Sequence, residues 1–177
     1  MASTKVLFAG FGGQGILFSG KFLVFDGLLE GKEVSWLPSY GPEMRGGTAN
    51  CSVIIGDEPI GSPIVSKPDM LVVMNLPSYD KYEKDIVPGG YAFVDSSLIE
   101  RAPQRDDITT VAIPATQIAS ENDIKGLANM IMLGKVIKET GIIDYDDVDR
   151  ALSKIIPPRR QQLIEPNKKA LDLGYNY

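Results

Sequence analysis

Lys5-Val-Leu-Phe-Ala-Gly-Phe-Gly-Gly-Gln-Gly15 is the stretch that decides the fold of this chain. Its apolar half, residues 5–9, stops abruptly at glycine, the pattern of a buried strand in a parallel sheet. The glycines at 10, 12 and 15 then make a turn that opens a helix. Apolar residues Ile16, Leu17, Phe22, Leu23, Phe25, Leu28 and Leu29 recur at helical spacing, and the pattern ends near Gly31. Glu33-Val-Ser-Trp-Leu37 reads as a second strand. A polar, glycine-rich loop over residues 38–47 and a strand over 48–55 follow. Strand, glycine turn, helix, strand is how an open α/β sheet begins.

The rest of the chain extends that reading. Met70-Leu-Val-Val-Met74 is wholly apolar and predicts a central strand. Residues 78–85 predict a helix, Pro88-Gly-Gly90 a turn, Tyr91-Ala-Phe-Val94 a strand, and residues 108–113 a further strand bounded by Pro114. Residues 127–140 are apolar on most sides and predict a buried helix. Asp144 is placed to cap another, which Pro157-Pro158 stops near Ile156. A last helix is expected from about Glu165-Pro166 to Gly174. The fold class is therefore a Rossmann-like α/β domain, with an open, mostly parallel sheet flanked by helices and a C-terminal helical cap. One domain over residues 1–177 is the economical organisation.

Composition narrows the functions. The net charge is −5, against the clustered Lys and Arg that nucleic acid requires. No apolar run is long enough to cross a bilayer, and no secretory leader precedes the first strand, so a cytoplasmic location is expected. The chain has no His, and Cys51 is its one Cys. Thiolate zinc, iron–sulfur ligation, disulfides and His-based nucleophile activation are thereby excluded. No catalytic residue and no metal ligand stands out.

The candidate site gathers at the sheet edge where ligands of open α/β proteins bind. Gly10 and Gly12 permit a tight turn and close backbone approach, Gly13 and Gln14 offer N–H groups, and Gly15 permits close helix–strand packing. Free N–H groups and the positive helix end favour a phosphate. The same glycines also suit a tight turn with no ligand. In the second loop, Arg45 suits a phosphate or carboxylate and Glu43 can hold Arg45, while Gly46-Gly47 permit close approach and Tyr40 can stack on a planar ring. A surface Glu43–Arg45 pair is the plainer alternative. Asn75 follows the strand at residues 70–74 and is either a site residue or a turn residue. Asn129, on an apolar helix, needs a hydrogen-bond partner. Cys51 reads as a small core residue, and Met130 and Met132 as core filling.

Together these segments resemble the gamma subunits of 2-oxoacid:ferredoxin oxidoreductases. The matching stretches are residues 10–15, Pro38-Ser-Tyr-Gly-Pro-Glu-Met-Arg-Gly-Gly47, Met74-Asn-Leu-Pro77, Pro88-Gly-Gly90, Asn129-Met130 and residues 165–174, in order along nearly the whole chain. Pro166 is a departure from the family's usual residue in the last of them. The resemblance implies a subunit inactive alone, within an enzyme that oxidatively decarboxylates a 2-oxoacid to acyl-CoA and CO2 and passes electrons to ferredoxin. It implies thiamine-binding alpha and beta subunits, a ferredoxin-like delta subunit, and thiamine diphosphate and iron–sulfur clusters on those partners. It associates this chain with coenzyme A, which Gly12, Gly13, Gln14, Gly15 and Arg45 would contact. The second loop with Ser62-Pro63 is most similar to the 2-oxoglutarate type, with branched-chain and pyruvate types open. No thiamine diphosphate motif is present, since Gly56-Asp57-Glu58 lacks the second Gly and the Asn pair.

Two rival readings stand beside it. A stand-alone NAD(P)-dependent oxidoreductase would use the same glycine pattern, but the second strand ends Trp36-Leu37-Pro38-Ser39-Tyr40, without the acidic residue that holds a ribose. A purely structural docking subunit would use the glycine loops for assembly.

Overall fold

A computed structural model describes residues 3–39 and 48–177. The strands are β1 (Thr4–Phe11), β2 (Glu33–Ser39), β3 (Thr48–Gly56), β4 (Met70–Val73), β5 (Tyr91–Asp95) and β6 (Thr109–Ile113). They form one sheet in the order β2-β3-β1-β4-β5-β6. β1, β4, β5 and β6 run parallel, whereas β3 is antiparallel to both β1 and β2. The expected mostly parallel α/β sheet is therefore found, with one reversed strand inserted beside β1.

Alternation along the strands builds two core layers. Val6 and Phe8 of β1 face the same layer as Cys51, Val53, Val72 and Phe93, while Leu7 joins Leu71, Val73, Ala92 and Val94 on the other. Over the first layer lie α1 (Ile16–Leu29), α4 (Ala128–Thr140), α5 (Val148–Ile155) and α6 (Ile164–Tyr175), with the short α3 (Ala115–Glu121) beside them. The second layer is closed by Tyr79 of α2 (Leu76–Tyr82) together with Ile86 and Ile99. The C-terminal helices are thus a layer over one sheet face. Every α4 residue from Ala128 to Leu133 is buried, as its all-round apolar sequence requires. Met130 and Met132 are fully enclosed.

Several boundaries differ from expectation. Pro38 and Ser39 continue β2 instead of opening the loop, because β2 is the edge strand and a missing N–H there costs no ladder bond. The helix expected over 78–85 starts two residues earlier, capped by Asn75, and tightens to a single 3-10 turn over Glu83–Asp85. Asp144 caps a 3-10 turn, accepting from the Asp146 N–H at 3.0 Å, and α5 then runs on from it. Gly174 does not end the last helix; it lies inside α6, in contact with α4.

Cys51 is sealed in the core, its thiol facing the Ile16 carbonyl at 3.6 Å. Burial pushes the thiol up to about 12, so thiolate is scarce at neutral pH. In a disulfide-exchange assay with an aromatic disulfide reagent, the native chain is expected to release almost no chromophore, and the unfolded chain one equivalent. Rapid reaction of the native chain would contradict this burial.

Candidate functional site

The carboxyl ends of β1, β4, β5 and β6 share one sheet edge, and Thr48, where β3 begins, pairs with Phe11 there. Ser39, the last residue of β2, reaches the same edge. Tyr40, Glu43, Arg45 and Gly46 lie outside the described residues. β1 leads into α1 over one face and β4 into α2 over the other. The gap between β1 and β4 is therefore the point where the chain diverges, which is where open α/β sheets admit ligands.

Gln14 spans this gap. Its Oε1 accepts from the Phe11 N–H at 2.6 Å, and its Nε2 donates to the Met74 carbonyl at 2.9 Å. The Gln14 backbone N–H is also engaged, donating to the Phe11 carbonyl at 3.2 Å. Gln14 thus shapes the turn, and its N–H is not presented to a ligand as expected from sequence. The N–H groups of Gly12, Gly13 and Gly15 have no hydrogen-bond partner among the described residues.

The glycines divide by cause. At Gly10 a Cβ would stand 2.6 Å from Gln14 Oε1 and 2.8 Å from Ile16 Cδ1, so an intrachain contact demands this glycine. Gly15, at φ +75° ahead of α1, meets Asn129 of α4: a Cβ would lie 2.7 Å from its Cγ. Gly13 differs. Its φ is +91°, and a Cβ there would meet nothing within 4 Å. It faces open space, and there a ligand can approach the backbone.

A cavity of about 360 Å³ opens beside Gly13, walled by Gln14, Met74, Leu98, Thr116, Ser120 and Lys125. Among the described residues no carboxylate lines it. Lys125 is exposed and makes no ion pair among the described residues. Thr116 is fixed by Asp95 at the end of β5: Asp95 is fully buried, with Oδ2 accepting from Thr116 Oγ1 at 2.6 Å and Oδ1 from the Ser97 N–H at 3.1 Å. A second, mainly apolar cleft of about 310 Å³ flanks the turn on the β3 side, between Phe11, Leu17, Phe18 and Ala49.

Asn75 is 2% exposed, and its Oδ1 accepts from the Ser78 N–H at 2.9 Å. It is a helix cap at the ligand edge, a local duty shared by many Asn residues after strands. Thr116 and Ser120 were missed from sequence because the buried face of the short α3 is mostly alanine, and Lys125, on the turn after it, and Asp95, at the end of β5, were missed with them. The usable signal was Asp95 itself, a carboxylate directly after an apolar strand run. Among the described residues no His, Cys, Asp or Glu cluster is arranged to hold a metal, and no helix is long and apolar enough to cross a membrane.

Strand order bears on the nicotinamide alternative. In a dinucleotide fold the second strand lies beside the first and brings its acidic residue to the ribose. Here β3 separates β2 from β1, so the β2 terminus stands two strand spacings, roughly 10 Å, from the glycine turn. Among the described residues none is in place for ribose readout in the dinucleotide manner.

Geometry of this kind belongs to the Rossmann-like ligand-binding domains, in which backbone N–H groups at a helix start meet the anionic part of a ligand. Within that class the chain belongs to the pyruvate ferredoxin/flavodoxin oxidoreductase family, matched over residues 5–177. It is 39% identical over 175 residues to the 2-oxoglutarate synthase subunit KorC of Methanocaldococcus jannaschii, covering 97% of this chain and 91% of that one. It is 37% identical over 174 residues to the ketoisovalerate oxidoreductase subunit VorA of Methanothermobacter marburgensis, covering 98% of this chain but 36% of that one. The chain thus spans about one third of the VorA length. Among solved structures, the gamma subunit of a keto/oxoacid ferredoxin oxidoreductase from Geobacter sulfurreducens superimposes with a TM-score of 0.83, at 28% identity and over 98% and 96% of the two chains. A 2-oxoglutarate:ferredoxin oxidoreductase of Magnetococcus marinus, with 2-oxoglutarate, coenzyme A and succinyl-CoA bound, shares the fold at a TM-score of 0.88 and 24% identity, over 99% of this chain and 31% of that one. The resemblance drawn from the sequence motifs is borne out by these matches.

Proposed function

We propose that this chain is the gamma subunit of a multi-subunit 2-oxoacid:ferredoxin oxidoreductase of the 2-oxoglutarate type, folded as one domain, and that its part is to hold coenzyme A. The observation that carries the reading is the cavity where Gly13, whose backbone N–H is unpaired among the described residues, meets Lys125, with Gly12, Gly15 and the start of α1 on the cleft at the other side of the same turn. Such a surface suits the phosphates of coenzyme A. Gly13 permits close approach and Lys125 supplies charge. Arg45 would add a second cation, and Tyr40, Glu43 and Gly46 belong to the same proposed loop. The apolar cleft beside Phe11 suits the less polar part of the ligand.

Coenzyme A supplies the thiol that receives the acyl group; this chain binds and orients it. The decarboxylation requires thiamine diphosphate and the electron transfer requires iron–sulfur clusters. A chain without His and with one sealed Cys lacks the ligands of such clusters, and it carries no thiamine diphosphate motif, so both groups are assigned to partner subunits of alpha, beta and delta type, with ferredoxin as acceptor. The 39% identity to KorC over 97% of this chain supports the 2-oxoglutarate type. A cytoplasmic complex is proposed, with neither membrane nor nucleic acid as partner.

The first test is gentle anaerobic purification of the complex from its native host, expecting thiamine-binding and ferredoxin-like chains to co-elute. In that complex, Lys125→Ala and Gly13→Val are each expected to raise the KM for coenzyme A about tenfold, the scale of one charge-assisted hydrogen bond, with the oxoacid KM unchanged. Neither variant places a side chain against the core. Wild-type kinetics in both would remove the coenzyme A role and leave a docking subunit.

A further inference from the structure

Gly15 is held from far along the chain. Its carbonyl accepts from the Ser19 N–H at 3.1 Å, as a helix start requires, and from Asn129 Nδ2 at 3.0 Å, across 114 residues of sequence. Both lone pairs of that oxygen are therefore engaged. Asn129 is 4% exposed on the otherwise apolar α4, and its amide occupies the space that any side chain at Gly15 would need. The left-handed residue that closes the turn is thus fixed twice, by the missing Cβ and by the Asn129 amide. Gln14 ties the other side of the turn to β4 through Met74. Directly ahead of these two anchors sit Gly12 and Gly13, whose N–H groups face no partner among the described residues.

We infer that Asn129 is a positioning residue for coenzyme A: without touching the ligand, it locks Gly15 so that Gly12, Gly13 and the start of α1 keep their places on the cavity and the cleft that flank the turn. The inference rests on the coenzyme A reading above. A flexible turn would have to be ordered at each binding event, and that cost would fall on affinity while the chemistry on partner chains is untouched.

The test compares Asn129→Ala and Asn129→Asp in the assembled oxidoreductase. The aspartate keeps the shape and loses the donor. Both are expected to raise the KM for coenzyme A about tenfold, to leave kcat and the oxoacid KM within about twofold, and to speed hydrogen exchange over residues 10–18 while β4 and β5 exchange as in wild type. Unchanged exchange over 10–18 overturns the proposal whatever the kinetics. So does an unchanged KM when Gly13→Val raises it. If Gly13→Val and Lys125→Ala also leave the KM unchanged, the coenzyme A reading itself has failed. Should Asn129→Ala assemble poorly, the pair with Gly15→Ala decides: the alanine methyl takes the space the amide vacates, so the double variant is expected to be less impaired than the product of the two singles. Independent effects would refute the contact on which the inference stands.

Discussion

Replacing Gly174 by alanine is expected to cost about 3 kcal/mol or more, lowering the thermal midpoint by roughly 10 °C. A Cβ there would stand 2.7 Å from the Ile131 carbonyl carbon of α4, and closer still to its oxygen. Gly134 mirrors it from α4, where a Cβ would stand 2.9 Å from the Tyr175 N of α6. The two backbones are packed glycine to carbonyl, and no flexible side chain lies between them to give way. Relief requires the helices to separate, which opens the contacts of Ile131, Met130 and Leu171, all fully buried. Gly31→Ala is the control: that glycine has φ +78° but open space around its Cβ, so only backbone strain of about 1 kcal/mol is expected. Circular-dichroism melts of the two variants decide it. Equal, small losses would mean that α6 rides over α4 more loosely than drawn.

Asp26→Asn is expected to stabilise the chain at pH 8 by roughly 3 kcal/mol and much less near pH 4. Asp26 is fully shielded on α1, and neither carboxylate oxygen has a hydrogen-bond partner among the described residues. Burial, then the neighbouring carboxylates of Glu30 and Asp147, push its carboxyl from 3.8 up to about 7, with Asp144 adding to them and Arg150 opposing. An acid raised in the folded state binds more protons folded than unfolded between the two values. Its contribution is most favourable below about 4, is lost progressively as pH rises toward 7, and is constant above. Asparagine keeps the shape and cannot ionise, so its advantage must open over that same window. Denaturant midpoints of both proteins at pH 5 and pH 8 measure it. A variant effect equal at the two pH values would show that Asp26 is not the source.

Much of this architecture is local in origin. The apolar runs at 6–9 and 70–73 are strands because both of their faces are buried, and a strand covered on two sides has no polar alternation to hide it. α4 was legible for the same reason. The short α3 was not, since its two buried residues are alanines and Pro114 reads equally as the end of a strand and the start of a helix. Direction is another loss: residues 48–56 have the composition of a strand either way round, and only pairing with both β1 and β2 makes β3 antiparallel.

The site divides along the same line. The glycine pattern at 10–15 announced a backbone-lined turn at the ligand edge of an α/β sheet, and the absence of His with one Cys set the expectation that cluster chemistry lies elsewhere. What three of these glycines are for came from the folded structure: Gly10 clears Gln14, Gly15 clears Asn129, and Gly13 faces open space. So did Lys125, Thr116 and Asp95, drawn to the glycine turn from a loop, a helix and a strand 80 or more residues away. Periodicity and residue type act over a few neighbours and so fix elements and their buried faces. A cavity is defined by atoms that share no sequence neighbourhood, and it exists only once the sheet has set their distances.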